Sequence, residues 1–267
     1  MIDPLTGALV ERLGFEALYL GGHSMGIHLG EGQPLTTMSE AIAIADRIGA
    51  ETTAPVILDG GAGFGDVAQV DRLIREAERA GVAAVHIEDQ PYPKLAGYHR
   101  GEGTLAPIEV TVAKLRAAVA ARRELLVIAR TDALRVTGST KEMLERCAAF
   151  AAAGVDALMV LDLEPAAAAE LRDRLPDLPL AWIGAVADPG PSVDEMRAAG
   201  FSLALFPFNT VAAIIDAVAA TWKPLLERGR LEQTPELLAR TRAEALELTR
   251  IPRAWEIEAA AEVGKHV

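Results

Sequence analysis

Polar side chains able to do chemistry follow most of the apolar, strand-like runs of this sequence. The residues at these ends are His23, Ser24, Asp59, Glu88, Asp89, Arg130, Thr131, Asp132, Asp162, Asp188 and Asn209. In an α/β barrel the carboxyl ends of the strands meet at one mouth, where active sites lie. Carboxylates from separate strands suit a hard divalent cation such as Mg²⁺, and Arg130 in the same ring would hold a substrate carboxylate through two hydrogen bonds. The pattern therefore predicts a site for Mg²⁺ and a small carboxylic acid.

The elements that would position these residues repeat along the chain: a helical stretch ends in Gly, and an apolar run follows at once. Four such runs are LGFEALYLGG from Leu13, AGVAAVHIED from Ala80, AGVDALMVLD from Ala153 and AGFSLALFPF from Ala199. Three further strand-like runs are APVILDGG from Ala54, ELLVIARTD from Glu124 and PLAWIGAV from Pro179. The alternation predicts a parallel sheet, either closed as a (β/α)8 barrel or open and doubly wound. No GxGxxG follows the first strand, which argues against dinucleotide binding.

The composition fits one α/β domain over residues 1–267. Hydrophobic residues make up 51% of the chain and aromatic residues only 4%, so aliphatic side chains must fill the core. The net charge of -12 argues against a nucleic-acid partner. The single cysteine, Cys147, excludes a disulfide framework or a Cys-rich zinc site, and we expect it to be a buried apolar side chain in a helix. No apolar run reaches the roughly 20 residues of a membrane span and no leader precedes the first helix, so we expect a cytoplasmic protein without a membrane partner.

Some of the polar residues have an ordinary structural role as the alternative. Asp66 is expected to cap a helix and is assigned no chemistry. A cap or loop role stays open for Asp162 and Asp188. His86 shares a strand face with Glu88, and we expect it to be a packed, neutral imidazole.

Five ordered motifs of the chain resemble the isocitrate lyase and phosphoenolpyruvate mutase superfamily. They are GFEALYLGG, LTTMSE, DGGAGFGD, AGVAAVHIEDQPYPK and IARTDA, and the resemblance runs from about residue 3 to the C-terminus. It implies a (β/α)8 TIM-type barrel, Mg²⁺ near the strand ends and a homo-oligomer, a dimer or tetramer, whose final helix is exchanged between subunits. Family members carry a helix and a strand before the segment that matches residues 3–15. We therefore expect the first strand of the barrel to be missing or replaced here.

The resemblance also implies roles for individual residues. Asp59 and Glu88 fall on the metal region of the family, and Arg130 on the arginine that holds the substrate carboxylate and its enolate oxygen. Tyr19, Gly21 and Gly22 match a segment whose backbone amides help to form an oxyanion site. Residues 91–103 correspond to a mobile gate over the site, which would exclude water from a reactive enolate.

Departures from the family pattern change the expected chemistry. Gly61 stands where the second acid of the DxDxGYG motif is expected. Ala96 occupies the position of the lyase cysteine, and Tyr98 the position of the following histidine. Gly32 stands where an acid is expected before LTTMSE, and the loop also lacks the asparagine of the mutases. The replacement proton carriers that we consider are His99, Tyr98, His23 and Glu31, since an imidazole on a closing loop has a suitable pKa.

Together these residues predict a Mg²⁺-dependent enzyme that breaks or forms a carbon–carbon bond in a small 2-oxo or 2-hydroxy carboxylic acid through an enolate. A carbon–phosphorus enzyme acting on phosphonates is a first alternative, which the absent asparagine loop disfavours. A ketopantoate hydroxymethyltransferase-like enzyme is a second, because GHSMGIHLG and PLTTMSE faintly resemble its early region. A third is a catalytically silent homologue that binds a carboxylate.

The C-terminal segment, residues 234–267, has a distinct helical pattern. Thr234 is the expected N-cap of a helix with Pro235 at its first position, and a second helical piece follows Pro252. Trp255 and Ile257 could anchor this segment on its own barrel or on a partner, and the family resemblance favours exchange between subunits.

Overall fold

Seven parallel strands form a nearly closed barrel in the computed structural model, which describes residues 1–175, 177–184 and 190–261. The strands are β1 (Leu18–Leu20), β2 (Val56–Asp59), β3 (Val82–Glu88), β4 (Leu126–Thr131), β5 (Ala157–Val160), β6 (Leu180–Ile183) and β7 (Leu203–Leu205). Each pairs with the next in chain order, from β1 to β7. Each of the seven runs predicted from the sequence forms one of these strands. The α/β barrel class is therefore confirmed, with seven strands among the described residues.

Helices surround the strands and alternate with them. They are α1 (Pro4–Arg12), α2 (Gly22–Leu29), α3 (Met38–Glu51), α4 (Val67–Arg79), α5 (Ile108–Ala121), α6 (Ala133–Thr137), α7 (Thr140–Ala151), α8 (Ala168–Arg174), α9 (Val193–Ala198), α10 (Asn209–Arg228), α11 (Pro235–Glu247) and α12 (Ile251–Ala260). Within the described ranges no helix is both long and apolar enough to cross a bilayer.

The strands are buried on both faces, which explains their continuous apolar sequences. One face fills the inside of the barrel with Tyr19, Ile57, Ala84, Ile128 and Met159. The other face packs against the helices in a larger aliphatic core. Because side chains alternate between the faces, the last residues of β2, β3 and β4 bring polar groups to the mouth of the barrel. The strands β1 and β7 are the two edges of the sheet. The Ser24 hydroxyl, after β1, donates to the carbonyl of Pro207, after β7, and so connects the two edges.

Side-chain caps begin several of the helices, and two of them, Asp66 and Thr234, were predicted above. Thr37 with Glu40 and Ser192 with Glu195 form reciprocal capping boxes. Asp66 caps α4, and Thr234 caps α11. These caps satisfy backbone amides that have no partner within the helix.

Candidate active site

A cavity of about 100 Å³ opens at the mouth of the barrel, and we call it the mouth cavity. Its lining residues are Tyr19, Gly21, Gly22, His23, Gln33, Asp59, Tyr98, His99, Arg130, Arg135, Leu161, Ile183, Gly184 and Pro207. The structure thus brings together the residues predicted for substrate binding, proton transfer and, in Asp59, metal binding. Glu88 does not line the cavity but contacts Arg130 beneath its floor.

Asp59 ends β2 and is held by backbone amides on both of its oxygens. Gly22 N donates to Oδ2 at 2.9 Å, and Gly61 N donates to Oδ1 at 2.8 Å. Burial opposes ionisation, but the charges of protonated His86, Arg130 and Lys94 and the Gly22 amide lower the pKa of Asp59 to about 2. The side chain is therefore a carboxylate at neutral pH.

Glu88 ends β3 and is 1% exposed. Lys94 Nζ lies 2.9 Å from its Oε1, and Arg130 Nη2 lies 3.3 Å from its Oε2. Neither oxygen accepts a hydrogen bond of good geometry from the described part of the chain. Burial raises the pKa of Glu88, and the charges of Lys94 and Arg130 oppose that rise. Glu88 is thus a buried acid whose oxygens retain unused lone pairs.

Arg130, near the end of β4, is held rigidly at the cavity floor. Its Nε and Nη2 donate to the two oxygens of Asp132 at 2.8 and 3.2 Å. Burial opposes its charge, but Asp132 and Glu88 hold the pKa of Arg130 well above its ordinary value. Nη1 makes no hydrogen bond to the described residues and is available for a carboxylate in the cavity.

The gate, residues 91–103, covers the cavity through a short 3₁₀ segment, Ala96–Arg100. Tyr98 projects from it and is buried, and its hydroxyl donates to Asp132 Oδ2 at 3.0 Å. Burial raises the pKa of Tyr98, although Arg130 opposes the rise. A neutral phenol committed to Asp132 fits a positioning role better than proton transfer.

His23 and His99 meet across the entrance to the cavity. Their ring centroids lie 4.9 Å apart, and both rings line the mouth cavity. Burial is the main cause that lowers the pKa of His23, and the charge of Lys94 lowers it further. Burial is also the main cause that lowers the pKa of His99, and the neighbouring His23 lowers it further. Both imidazoles are therefore neutral near pH 7, in the form that accepts a proton.

The segment of Tyr19, Gly21 and Gly22 lies where predicted, at the end of β1. Gly22 needs to be Gly, since a Cβ there would stand 2.6 Å from Gln33 Nε2 and 2.9 Å from Asp59 Oδ2. The Gly22 amide, however, donates to Asp59 rather than into the cavity. Tyr19 Oη lies 2.9 Å from His86 Nε2, and burial lowers the pKa of His86 to about 4. His86 is the packed, neutral imidazole expected from the sequence, directly below the cavity.

Comparison with known proteins places the chain in a family. The sequence model of the phosphoenolpyruvate phosphomutase family matches residues 1–226. The chain belongs to this family. A 2-methylisocitrate lyase of Aeropyrum pernix is 37% identical over 232 residues, which are 85% of this chain and 74% of that protein. A 2,3-dimethylmalate lyase of Eubacterium barkeri is 33% identical over 84% of this chain and 78% of its own.

Solved structures of the superfamily share the fold over almost the whole chain. Oxaloacetate acetylhydrolase in complex with the inhibitor 3,3-difluorooxalacetate superposes with a TM-score of 0.90 at 28% identity, covering 100% of this chain and 92% of that one. The predicted membership of the isocitrate lyase and phosphoenolpyruvate mutase superfamily, and with it an enzyme of the carbon–carbon lyase type, is confirmed.

The Mg²⁺ that this superfamily implies fits the residues present. Asp59 is ionised, and the buried oxygens of Glu88 lack hydrogen bonds from the described residues. No group of three or more acidic, His or Cys residues suited to a metal occurs in the described part of the chain. Mg²⁺ commonly binds through one or two carboxylates, with waters and substrate oxygens as its other ligands. Asp59 and Glu88 would supply the carboxylate ligands of such a site.

Gly61 stands where the superfamily has its second acid, and together with Asp59 it lines a small side cavity of about 40 Å³. Its φ is +50°, and a Cβ there would meet no described atom within 4 Å. Asp tolerates this backbone region better than most residues. We expect Gly61→Asp to raise the Mg²⁺ affinity about tenfold, because added ligand charge strengthens binding of a hard cation.

Isothermal titration with MgCl₂ measures this effect. Gly81→Asp is the matched control, since Gly81 also has a positive φ and open space at Cβ but lies between α4 and β3, away from the mouth. Equal Mg²⁺ affinity in wild type and Gly61→Asp would contradict the placement of the metal beside Asp59.

Three residues of the site were not selected from the sequence. Lys94 lies within the EDQPYPK motif, but nothing in its spacing showed that the gate folds back to pair it with Glu88. Arg135 lies in the short helix α6 and lines the mouth cavity. Gln33 enters from the loop before α3. Each depends on how a loop folds over the mouth, which strand and helix patterns do not specify.

Other strand-end residues have structural or outer positions. Asp89 accepts from Thr131 Oγ1 at 2.6 Å and from Asp132 N at 2.9 Å, so it braces the loop after β4. Asn209 begins α10, and Glu31 is exposed and does not line the mouth cavity. Asp188 lies outside the described residues.

Proposed function

We propose that the protein breaks or forms a carbon–carbon bond beside the 2-oxo or 2-hydroxy group of a small carboxylic acid, through an enolate and with Mg²⁺. The observation that carries this proposal is the clamp on Arg130: Asp132 fixes two of its nitrogens and leaves Nη1 facing a cavity bounded by Asp59. Such a fork binds one end of a carboxylate with defined geometry.

The residues have distinct tasks in this reaction. Mg²⁺ held by Asp59 and Glu88 would act as a Lewis acid on the 2-oxo group. Arg130 binds the substrate carboxylate and stabilises the enolate oxygen. His23 or His99 receives the proton or delivers it, because both are neutral imidazoles at the entrance. The gate excludes water while the enolate exists.

Incubation with Mg²⁺ and a panel of 2-oxo and 2-hydroxy acids, with products followed by NMR, tests the proposal. Cleavage of a carbon–carbon bond that stops on chelation of the metal would support it. Gly61 and Ala96 favour one other candidate, a homologue that binds carboxylates without turnover. That candidate predicts thermal stabilisation by pyruvate or oxaloacetate with no product from any acid.

The histidine pair gives a prediction about pH. We expect loss of the histidine that carries the proton, in His99→Ala or in His23→Ala, to lower kcat/KM by about 10²-fold or more, the usual contribution of a positioned acid or base. Because the lowered pKa values lie below 6.5, the neutral bases are present at pH 7 and become protonated on acidification. Wild-type kcat/KM should therefore fall as the pH drops below 6.5. The pH profile of the variant that lacks the proton-carrying histidine should not show this fall.

Steady-state kinetics from pH 5 to 8 on the accepted substrate give both quantities. His28→Ala is the control, since His28 is exposed on α2 and does not line the mouth cavity. Full turnover in both active-site variants would show that neither histidine carries the proton.

Exposed apolar side chains on α10–α12 support a homo-oligomer. Trp222, Leu226, Trp255 and Ile257 are all more than half exposed, and Leu226 reaches 89%. Apolar patches of this kind mark interaction surfaces.

We expect light scattering to give at least twice the chain mass of 28.3 kDa, and Trp222→Ser with Leu226→Ser to shift the protein to monomer. Leu13→Ser, at another exposed leucine, is the control, and a monomeric wild type at micromolar concentration would refute the assembly.

A further inference from the structure

A second arginine, Arg135, lines the mouth cavity in an arrangement that parallels Arg130. Asp162 binds it through the same two nitrogens: Nε donates to Oδ2 at 2.8 Å, and Nη2 donates to Oδ1 at 2.6 Å. The third nitrogen, Nη1, donates to the Tyr98 hydroxyl at 3.4 Å, and the side chain lines the mouth cavity. Two clamped guanidinium groups therefore border the same space.

The hydroxyl of Tyr98 connects these two arginines. It accepts from Arg130 Nη2 at 3.2 Å and from Arg135 Nη1 at 3.4 Å. The donating nitrogens therefore lie within about 7 Å of each other, the span of two hydrogen bonds. The carboxyl carbons of a four-carbon dicarboxylate are about 3–4 Å apart, as follows from C–C bonds of 1.52 Å, and the carboxylate oxygens extend beyond them. One such molecule could reach both guanidinium groups.

Asp162 adopts an uncommon backbone conformation at this position. Its φ is +62°, in the left-handed region that few residues other than Gly enter. Local strain of this kind persists where the surrounding structure enforces it, and it clusters at functional sites. The turn after β5 thus holds the Asp162 carboxylate against Arg135, whose partly exposed side chain lines the cavity.

We propose that Arg135 is a specificity-determining residue that receives a second carboxylate of the substrate, with Asp162 as its positioning residue. The proposal rests on the function given above, since it assigns the first carboxylate to Arg130. Lys94 does not compete for this task, because its ammonium is paired with Glu88 and lies 4.0 Å from the centre of the Tyr98 ring. The substrate is then a 2-oxo or 2-hydroxy dicarboxylic acid.

Binding of malate and lactate tests this assignment, because the two acids share the 2-hydroxy carboxylate and only malate has the second carboxylate. We expect wild type with Mg²⁺ to bind malate about 10–100-fold more tightly than lactate in isothermal titration, the range of a charged hydrogen-bonded pair. Arg135→Met should remove this preference and leave lactate affinity unchanged. Arg135→Lys should restore part of it. Arg75→Met is the control, since Arg75 also pairs with an aspartate, Asp71, but lies on α4 and does not line the mouth cavity.

The proposal would be overturned by equal affinity of wild type for both acids, by an unchanged malate preference in Arg135→Met, or by equal loss of affinity for both ligands in that variant. Tighter binding of 3-phosphonolactate than of malate, lost in Arg135→Met, would assign the second anion to a phosphonate and would also overturn it. Binding is measured without turnover, so the preference can hold even if no enolate forms. Enolate formation from pyruvate without a malate preference would refute only the role of Arg135.

Discussion

Replacing Arg130 with lysine is expected to lower kcat/KM by about 10²–10³-fold, because the substrate carboxylate and the enolate oxygen lose an electrostatic partner fixed in position. Lysine keeps the charge but is a point donor without the planar fork. Arg130 binds the two oxygens of Asp132 through two of its nitrogens and has a third for a ligand. Lysine has only one nitrogen and cannot serve both partners in this way. Steady-state kinetics on the accepted substrate measure the loss.

The same substitution should also destabilise the fold. Asp132 and Glu88 are buried and lose part of their pairing, so we expect the free energy of unfolding to fall by about 1–3 kcal/mol. Arg122→Lys is the matched control: Arg122 pairs with Asp156, which accepts from Val127 N at the opposite end of β4. That variant should keep full turnover. An Arg130→Lys enzyme with wild-type kcat/KM would show that the guanidinium fork has no part in catalysis.

Replacing Asp59 with asparagine is expected to abolish Mg²⁺-dependent turnover and to weaken Mg²⁺ binding by more than about 100-fold, since a metal interaction in such a site is worth several kcal/mol. The substitution removes a carboxylate that is ionised at pH 7, its pKa being about 2. It also places an amide N–H against one of the two backbone donors, Gly22 or Gly61.

Isothermal titration with MgCl₂ and kinetics at saturating metal check this result. Asp66→Asn makes the same chemical change on the same loop, but Asp66 is an exposed helix cap and asparagine caps equally well. The control should therefore keep its metal affinity and turnover. Wild-type Mg²⁺ affinity in Asp59→Asn would remove Asp59 from the metal site.

The strands and the residues at their ends were predictable because a parallel barrel imposes strong sequence patterns. Buried strands require apolar runs, and their carboxyl ends must converge, so Asp59, Glu88 and Arg130 could be brought together without coordinates. Helix caps such as Thr37 and Asp66 were predictable from local chemistry alone.

The loops over the mouth were not predictable in the same way. No periodicity of the sequence indicates that Lys94 turns back onto Glu88, or that Arg135 pairs with Asp162. Ser139 and Glu142 have capping-box spacing, but only Ser139 caps α7, because the Glu142 carboxylate pairs with Arg146 instead. The Gly22 amide likewise binds Asp59, where the family resemblance implied an oxyanion. In each case a tertiary contact decides between several polar partners that are all available locally.

Hydrogen exchange at C3 of pyruvate tests the enolate account most directly. In D₂O with Mg²⁺, the wild-type protein should exchange the C3 protons of pyruvate for deuterium well above the buffer rate, as followed by NMR, because each enolate formed releases a proton to His23 or His99. Arg130→Lys and Asp59→Asn should slow this exchange, and a chelator should stop it. Exchange at the buffer rate, in wild-type protein shown by thermal shift to bind both Mg²⁺ and pyruvate, would contradict the account.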